Sequence, residues 1–263
     1  LGDAPWLDTQ FDGEGRELLA RSELERGQDA QADARLALAH AGTDASRLLR
    51  RVLLARAFDR ANAQDSAAAA YGAAALRLPE VADWLRLRAA GVTPDSAARF
   101  GLFASVAGAV ARARVPFTDA QARERSGDFV GAARVYRDVG AVGSAFRVEA
   151  LAARDSAAKS ALARRILVYV GGKPNAAEAR QSLDVLAQLG VTLTREETLV
   201  AARAEADNGS ASRAVDGFAR AAVAGALSAR DQYLYAGALA TTGRSAEAAR
   251  QYARVAGDAG LVP

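Results

Sequence analysis

The sequence predicts an all-α protein, built as a single α-solenoid of antiparallel helical hairpins over residues 1–263. Three observations favour this fold class. Ala dominates the chain, together with Leu, Arg and Glu, and these residues have high helix propensity. No stretch alternates large apolar and polar residues with the period of two that is typical of a half-buried strand. A pattern of glycine, alanine and aromatic residues also recurs along the chain.

Each copy of this pattern has a small turn residue, then Ala, then an aromatic residue and then a small apolar residue. Three copies are Gly127, Ala132, Tyr136 and Val139; Gly209, Ala214, Phe218 and Ala221; and Gly243, Ala248, Tyr252 and Val255. Two weaker copies are Asn62, Ala67, Tyr71 and Ala74, followed by Pro79, and Gly27, Ala32, Leu36 and Ala39. Gly209 and Gly243 are 34 residues apart, which is the tetratricopeptide (TPR) period. The solenoid is therefore predicted to be TPR-like, with a right-handed superhelix.

The positions of the pattern have distinct physical roles. Gly or Asn turns the chain through φ > 0 between the two helices of a hairpin. Ala lets the helices approach closely, and the aromatic ring fills the gap to the next hairpin. Because one hairpin buries only part of its apolar surface, stacked neighbours complete the core. We therefore expect Tyr136, Phe218 and Tyr252 to be buried.

The sequence predicts helices at 14–26, 29–41, 45–61, 64–77, 79–90, 94–105, 107–114, 117–126, 129–138, 142–153, 156–170, 175–189, 194–207, 211–224, 228–242 and 245–257. TPR-like repeats are predicted at about 13–46, 48–81, 113–146, 195–228 and 229–262. Off-register helices are predicted in 80–112 and 147–194. The strand-like segment 166–170 is interpreted as the end of a helix, because an isolated strand would have no partner.

Composition narrows the classes of protein to consider. The absence of Cys excludes disulfides, thiolate nucleophiles and zinc–cysteine sites, and it fits a periplasmic protein. Since Met is absent even at position 1, and no polar cap follows Gly260, we expect a longer natural precursor. No apolar run approaches the roughly 20 residues of a membrane span. The net charge of +3 shows no concentrated basic face, so no nucleic-acid partner is expected.

Two segments carry a closer resemblance: the block 78–91, which contains Pro79 and Trp84, and the turn 122–128, which runs on to Tyr136. Together they resemble the N-terminal superhelical region of bacterial soluble lytic transglycosylases. In that family the region precedes a lysozyme-like domain that cleaves peptidoglycan and carries a Glu-Ser pair followed by a Gly-Leu-Met-Gln stretch. This chain has neither Met nor that block. The resemblance implies a periplasmic, cell-wall-associated origin and assigns no catalytic residue here.

Residues with catalytic potential have structural explanations. His40 is the single histidine, and we expect it near a helix C-terminus, where the macrodipole favours it. The stretch 171–174 lacks the Gly-Lys-Ser/Thr ending of a phosphate loop, so a turn is predicted there. Glu196 and Glu197 are expected in the first turn of a helix that Thr194 caps, rather than as a glycosidase pair. We therefore predict no catalytic, cofactor or metal site.

Candidate partner-binding residues come from aromatic and basic positions. Trp6 precedes the first helix and could anchor a partner or pack as a cap, and Tyr233 is a further candidate contact. Trp84 is assigned to the core. Helix 45–61 separates an apolar face from an arginine stripe, which is the candidate surface for an acidic partner, with a solvated face as the alternative. The apolar positions are Leu49, Val52, Leu53 and Phe58, and the stripe is Arg47, Arg50, Arg51, Arg56 and Arg60.

These observations predict a non-catalytic interaction module that presents its surface to a protein or a polymer. In one version it is the non-catalytic part of a lytic transglycosylase and shapes access to peptidoglycan. In the other it is an accessory subunit docked on the periplasmic side of a large membrane protein complex. An enzyme with an unrecognised site is the alternative from another class. No cofactor is expected in either version.

Overall fold

The computed structural model describes residues 13–40, 42–172, 175–208 and 210–256. These residues contain sixteen α-helices and no strand. The helices are α1 Glu14–Glu25, α2 Gln31–Ala39, α3 Asp44–Arg60, α4 Gln64–Ala75, α5 Ala82–Val92, α6 Ser96–Ala104, α7 Ala109–Arg112, α8 Val115–Arg125, α9 Phe129–Asp138, α10 Val142–Ala152, α11 Ser156–Gly171, α12 Ala176–Leu189, α13 Arg195–Asp207, α14 Ala211–Val223, α15 Ala229–Thr241 and α16 Ser245–Val255. The all-α prediction is confirmed, and the strand-like segment 166–170 lies inside α11.

The chain forms two compact units, Leu1–Val135 and Tyr136–Pro263. In the first unit, neighbouring helices pack in pairs: α1 with α2, α3 with α4, α4 with α5, and α5 with α6 and α8. Helix α1 also contacts α3, the next helix but one. Small residues fill the contacts, since Ala20, Ala34, Ala55 and Ala67 are fully buried. Alanine at these positions lets the helix backbones approach closely.

The second unit also packs neighbouring helices together. Its strongest pairs are α13 with α14 and α15 with α16, and α13 also contacts α15. One apolar cluster surrounds Ile166 and Leu183 of α11 and α12. Another surrounds Phe218 of α14 and Leu239 of α15. Both clusters contain larger side chains than the apolar cluster at α1, α2 and α3 of the first unit. In that cluster Leu53 packs among alanines.

The turn residues of the repeat pattern adopt the backbone conformation that the pattern requires. Gly27, Gly127 and Gly243 have φ of 75°, 81° and 77°. Asn62 has φ of 57° and is the one non-glycine residue with positive φ among the described residues. The fifth turn residue, Gly209, lies outside the described residues. In four copies, therefore, the chain reverses between helices through the left-handed region.

The alanine and aromatic positions of the pattern are buried in most copies. Ala132, Ala214 and Ala248 are 0%, 0% and 3% exposed. Tyr136 and Phe218 are 1% and 0% exposed, as expected. The last aromatic behaves differently, because the side chain of Tyr252 is 37% exposed. It belongs to α16, and no further described hairpin covers its ring.

The weak N-terminal copy was assigned the wrong register. Ala32 and Leu36 are exposed, whereas Ala34 and Ala37 are fully buried. Helix α2 begins four residues after its turn glycine, Gly27, whereas α4, α9 and α16 begin two residues after theirs. After this longer turn, Ala34 and Ala37 enter the core in place of Ala32 and Leu36.

Candidate interaction groove

The arginine stripe on α3 is not a continuous exposed surface, because Arg50 is buried. Arg50 is 1% exposed, and its Nε donates a hydrogen bond to Glu17 Oε2 at 3.0 Å. The contact ties α3 to α1, so the prediction that Arg50 binds a partner is wrong. Conversely, Leu49 was predicted to face the core and is 55% exposed. Three helices, α1, α2 and α4, pack against α3. The buried part of its surface is therefore wider than one amphipathic face.

The other predicted contact residues have different surroundings. Arg47 is half exposed and pairs with Asp44 at 3.4 Å within the same helix, while Arg51 is exposed. Tyr233 is 39% exposed, and its ring stands edge-to-face with Tyr252 at a centroid distance of 5.6 Å. Trp6 lies outside the described residues. Among the described candidates, Arg47 and Arg51 lie one turn apart at the surface of α3, whereas Arg50 between them is buried.

Trp84 was assigned to the core, but the structure places it at the surface, with 46% of the residue exposed. The apolar faces of α5 are occupied by Leu85, Ala89 and Val92 in one cluster and by Leu87 in another. Trp84 belongs to neither cluster and lies on the wall of a groove in the first unit. The prediction was wrong because an Ala- and Leu-rich helix fills its buried contacts without the indole.

This groove, here called the basic groove, has a volume of about 930 Å³. Its walls come mainly from alternate helices, α1, α3 and α5, and from α8. Most lining residues of α5 and α8 are three or four positions apart, as are Trp84, Arg88 and Gly91, and so lie on one face of their helix. The lining residues are Leu24, Val52, Arg56, Asp59, Arg60, Tyr71, Val81, Trp84, Leu85, Leu87, Arg88, Gly91, Val92, Arg114, Thr118, Gln121 and Arg125.

Four exposed arginines line the basic groove, and their side chains form no ion pair or hydrogen bond with any described residue. They are Arg56 and Arg60 on α3, Arg88 on α5 and Arg114 just before α8. An arginine carries five N–H donors and a charge that is not lost at any physiological pH. The groove therefore presents a set of guanidinium groups whose donors are open to solvent or to a ligand.

The fifth arginine of the groove has a structural role. Arg125 Nη1 lies 3.5 Å from Asp59 Oδ1 of α3 and donates a hydrogen bond to the Gly91 carbonyl of α5 at 3.1 Å. These two contacts hold α8 against both neighbouring walls. They also engage Asp59, the one acidic residue in the lining. The charge that remains unpaired in the groove is positive.

Tyr71 is the second aromatic residue of the basic groove, and it is 2% exposed. Burial, with a smaller contribution from Asp59, raises the pKa of Tyr71 to about 12. The phenol therefore remains protonated, as a hydrogen-bond donor and acceptor. It adds a polar group to a floor that is otherwise formed by apolar side chains such as Leu85 and Val92.

A second groove, of about 950 Å³, lies between α12, α13 and α14 in the other unit. Its main polar groups already bind one another. Arg213 Nε lies 2.9 Å from Glu205 Oε1, and Arg213 Nη1 donates to Asp184 Oδ1 at 2.6 Å. Burial raises the pKa of Glu205 above its ordinary value. Arg195 donates to the carbonyls of Ala221 and Ala226. This groove offers fewer unpaired groups to a ligand than the basic groove does.

His40 and the pair Thr194 and Glu197, which were considered for catalysis, are in the predicted structural positions. In the stretch 171–174, Gly171 ends α11 and Gly172 follows it in a turn, while residues 173 and 174 lie outside the described residues. His40 directly follows α2. Thr194 Oγ1 accepts from the Glu197 backbone N–H at 3.2 Å, and Glu197 Oε2 accepts from the Thr194 N–H at 2.9 Å, which forms a capping box. The Thr194 backbone N–H is the main cause that lowers the pKa of Glu197. The predicted cap is confirmed.

Among the described residues, no group of three or more His, Asp or Glu side chains is placed to hold a metal ion. In the same part of the chain, no helix has the length and apolar character needed to cross a membrane. Comparisons with protein-family models, with curated proteins and with solved structures find no match to this chain. The resemblance to lytic transglycosylases stays a prediction.

Proposed function

We propose that this chain is a non-catalytic helical-repeat module that binds a partner in the basic groove. One observation carries the proposal: four exposed arginines without ion pairs line the same groove as an exposed indole, Trp84. Arg and Trp are enriched among the residues that dominate binding energy at protein interfaces. A surface whose only role is solubility does not need them gathered in one concave region.

The groove is also built on rigid elements. Its walls are helices, and Arg125 fastens three of them through Asp59 and the Gly91 carbonyl. Gly91 permits close contact between α5 and α8, because an added Cβ would lie 3.2 Å from Thr118 Cγ2. Walls that are fixed before binding reduce the conformational entropy lost when a ligand enters.

The proposed setting is the periplasm, which the absence of Cys supports. The chain would then act as the superhelical part of a lytic transglycosylase and shape access to peptidoglycan. In the alternative setting it is an accessory subunit of a membrane protein complex. In both settings the basic groove receives the partner, and the chain itself performs no chemistry.

Site-specific photocrosslinking tests this proposal. A photoreactive phenylalanine analogue at Trp84 should form adducts in intact cells with a recurring partner. The matched control carries the same analogue at Leu76, which is 81% exposed, lies in the same unit and is not part of the groove lining. We expect adducts at Trp84 and none of the same mass at Leu76. Equal labelling at both positions, or turnover of peptidoglycan by the purified chain, would contradict the proposal.

A further inference from the structure

We propose that the partner of the basic groove is an extended, acidic polypeptide segment that also carries apolar side chains. This inference names the class of partner and rests on the proposed function. Three features of the groove support it: the positive charge, the apolar floor and the open hydrogen-bonding groups.

The charge of the groove selects for carboxylates. Arg56 and Arg60 are one turn apart on α3, and Arg88 and Arg114 line the same groove from α5 and from the start of α8. Guanidinium groups bind carboxylates through two parallel hydrogen bonds, which gives direction as well as attraction. The one carboxylate of the lining, Asp59, is already engaged by Arg125. The complementary ligand is therefore anionic.

The floor of the groove selects for apolar groups between the charges. Leu24 and Val52 are only partly buried and line the groove beside Leu85 and Val92. A small inorganic anion would leave this apolar surface in contact with water. A polypeptide can place Leu or Phe side chains against the floor and against Trp84, while its Glu or Asp side chains reach the arginines. Burial of the apolar side chains then adds to the electrostatic attraction.

The open polar group on α8 suits a peptide backbone. Gln121 is exposed and lines the groove, and its side-chain amide forms no hydrogen bond with any described residue. Its amide both donates and accepts, which matches the alternating N–H and C=O groups of an extended chain. Single-stranded nucleic acid is less suited, because it is usually held by several aromatic side chains that stack successive bases. Here Trp84 is the one exposed aromatic residue of the lining.

The experiment uses the full chain with Trp6→Phe, so that Trp84 is the single fluorescent indole. Its emission is titrated with a randomised peptide pool rich in Glu, Leu and Phe, and with a matched pool in which Gln replaces Glu. A peptidoglycan-derived disaccharide peptide and a short oligothymidylate are titrated in the same way. We expect the acidic pool to shift the emission of Trp84 at lower concentration than the other three probes. Added salt should weaken this binding.

Charge reversal locates the binding. The double variant Arg56→Glu, Arg88→Glu should weaken binding of the acidic pool at least about tenfold, since it replaces attraction by repulsion. The control Arg51→Glu, Arg77→Glu makes the same charge change at exposed arginines of the same unit that do not line the groove. It should change the affinity by less than about threefold, through long-range electrostatics alone. Circular dichroism verifies that both variants keep the helical content of the parent.

Three results would overturn the inference. The acidic and neutral pools could bind equally, the two charge-reversed variants could lose affinity equally, or the disaccharide peptide or the oligothymidylate could bind more tightly than the acidic pool. These failures differ from a failure of the proposed function. If Trp84 still crosslinks to a cellular partner while the acidic pool fails to bind, the class of partner is wrong and the interaction module stands. If neither binding nor crosslinking occurs, both proposals are wrong.

Discussion

Individual arginines in this protein fall into two groups that differ in burial and in pairing. Arg50, Arg16 and Arg99 are buried and pair with carboxylates of other helices, as in the 2.7 Å contact of Arg16 with Asp33. Arg56 and Arg88 are exposed and have no such pair. Amphipathic spacing assigned Arg50 and Arg56 to one stripe, and it could not distinguish them because their environments depend on which other helices pack nearby.

The contribution of such an ion pair to stability can be measured at Asp231. Asp231 is 1% exposed, and its two carboxylate oxygens accept hydrogen bonds from Arg203 at 2.6 and 2.8 Å. Burial raises the pKa of Asp231, but the hydrogen bonds from Arg203 and Ser228 outweigh that effect and hold it below the ordinary value. Asp231→Asn should lower the free energy of unfolding at neutral pH by about 1–3 kcal/mol, because it replaces the buried carboxylate that accepts from Arg203 and Ser228 by a weaker, neutral acceptor.

The pH dependence of this effect has a definite sign. A carboxyl group whose native pKa is lowered stabilises the fold above its unfolded pKa of about 3.9, and this contribution is lost as the pH falls through the native value. The stability difference between the parent and Asp231→Asn should therefore shrink below about pH 4. Urea unfolding followed by circular dichroism at several pH values measures it. Asp207→Asn, at an exposed position, is the control, and a difference that stays constant with pH would contradict the prediction.

At the scale of helices, close packing depends on single glycines. In α14, a Cβ added at Gly217 would lie 2.8 Å from Ala202 Cβ of α13, which is shorter than side chains allow. In α15, the nearest atom to a Cβ at Gly237 is Tyr252 Oη at 3.6 Å, an ordinary contact. The two glycines are in the same unit and differ in the space around them.

Gly217→Ala should therefore lower the free energy of unfolding by about 1–3 kcal/mol, because α13 and α14 must move apart. Gly237→Ala should raise it by up to about 1 kcal/mol, because alanine has the higher helix propensity. Urea unfolding curves of the two variants give both values. Equal effects of the two substitutions would show that the close approach of α13 and α14 has little influence on stability.

Helices and turns were predictable because their signals are local. The capping box of Thr194 and Glu197 and the positive φ at Asn62 each depend on a few consecutive residues, and both agree with the structure. The basic groove was not predictable in the same way. It draws residues from helices that are distant in sequence, and the exposure of Trp84 depends on which side chains of α5 fill the neighbouring clusters. The Trp84–Arg88 spacing on one helix face was the available signal.

At the scale of the whole molecule, the principal contacts within each compact unit join helices that are at most three positions apart in chain order. Where helices contact only near neighbours in the chain, stability is approximately a sum of local terms and nearest-neighbour terms. Substitutions in one region should therefore affect distant regions weakly. Trp84 in α5 and Gly217 in α14 lie in different compact units, so they can test this expectation.

In the Trp6→Phe background, Trp84 fluorescence reports unfolding near α5, whereas circular dichroism reports all helices. Gly217→Ala should shift the circular dichroism transition to lower urea concentration and should shift the fluorescence transition less. The two probes would then disagree, which is the sign of unfolding that is not two-state. A coincident shift of both curves would mean that the whole chain unfolds as one cooperative unit.

Short-range contacts also affect how such a chain can change during evolution. A hairpin that contacts only its near neighbours can be duplicated or deleted at a turn such as Asn62 or Gly127 while distant hairpins keep their cores. Because the basic groove draws on α1, α3, α5 and α8, an insertion within 14–125 would reshape it, whereas one after α14 would leave its lining unchanged.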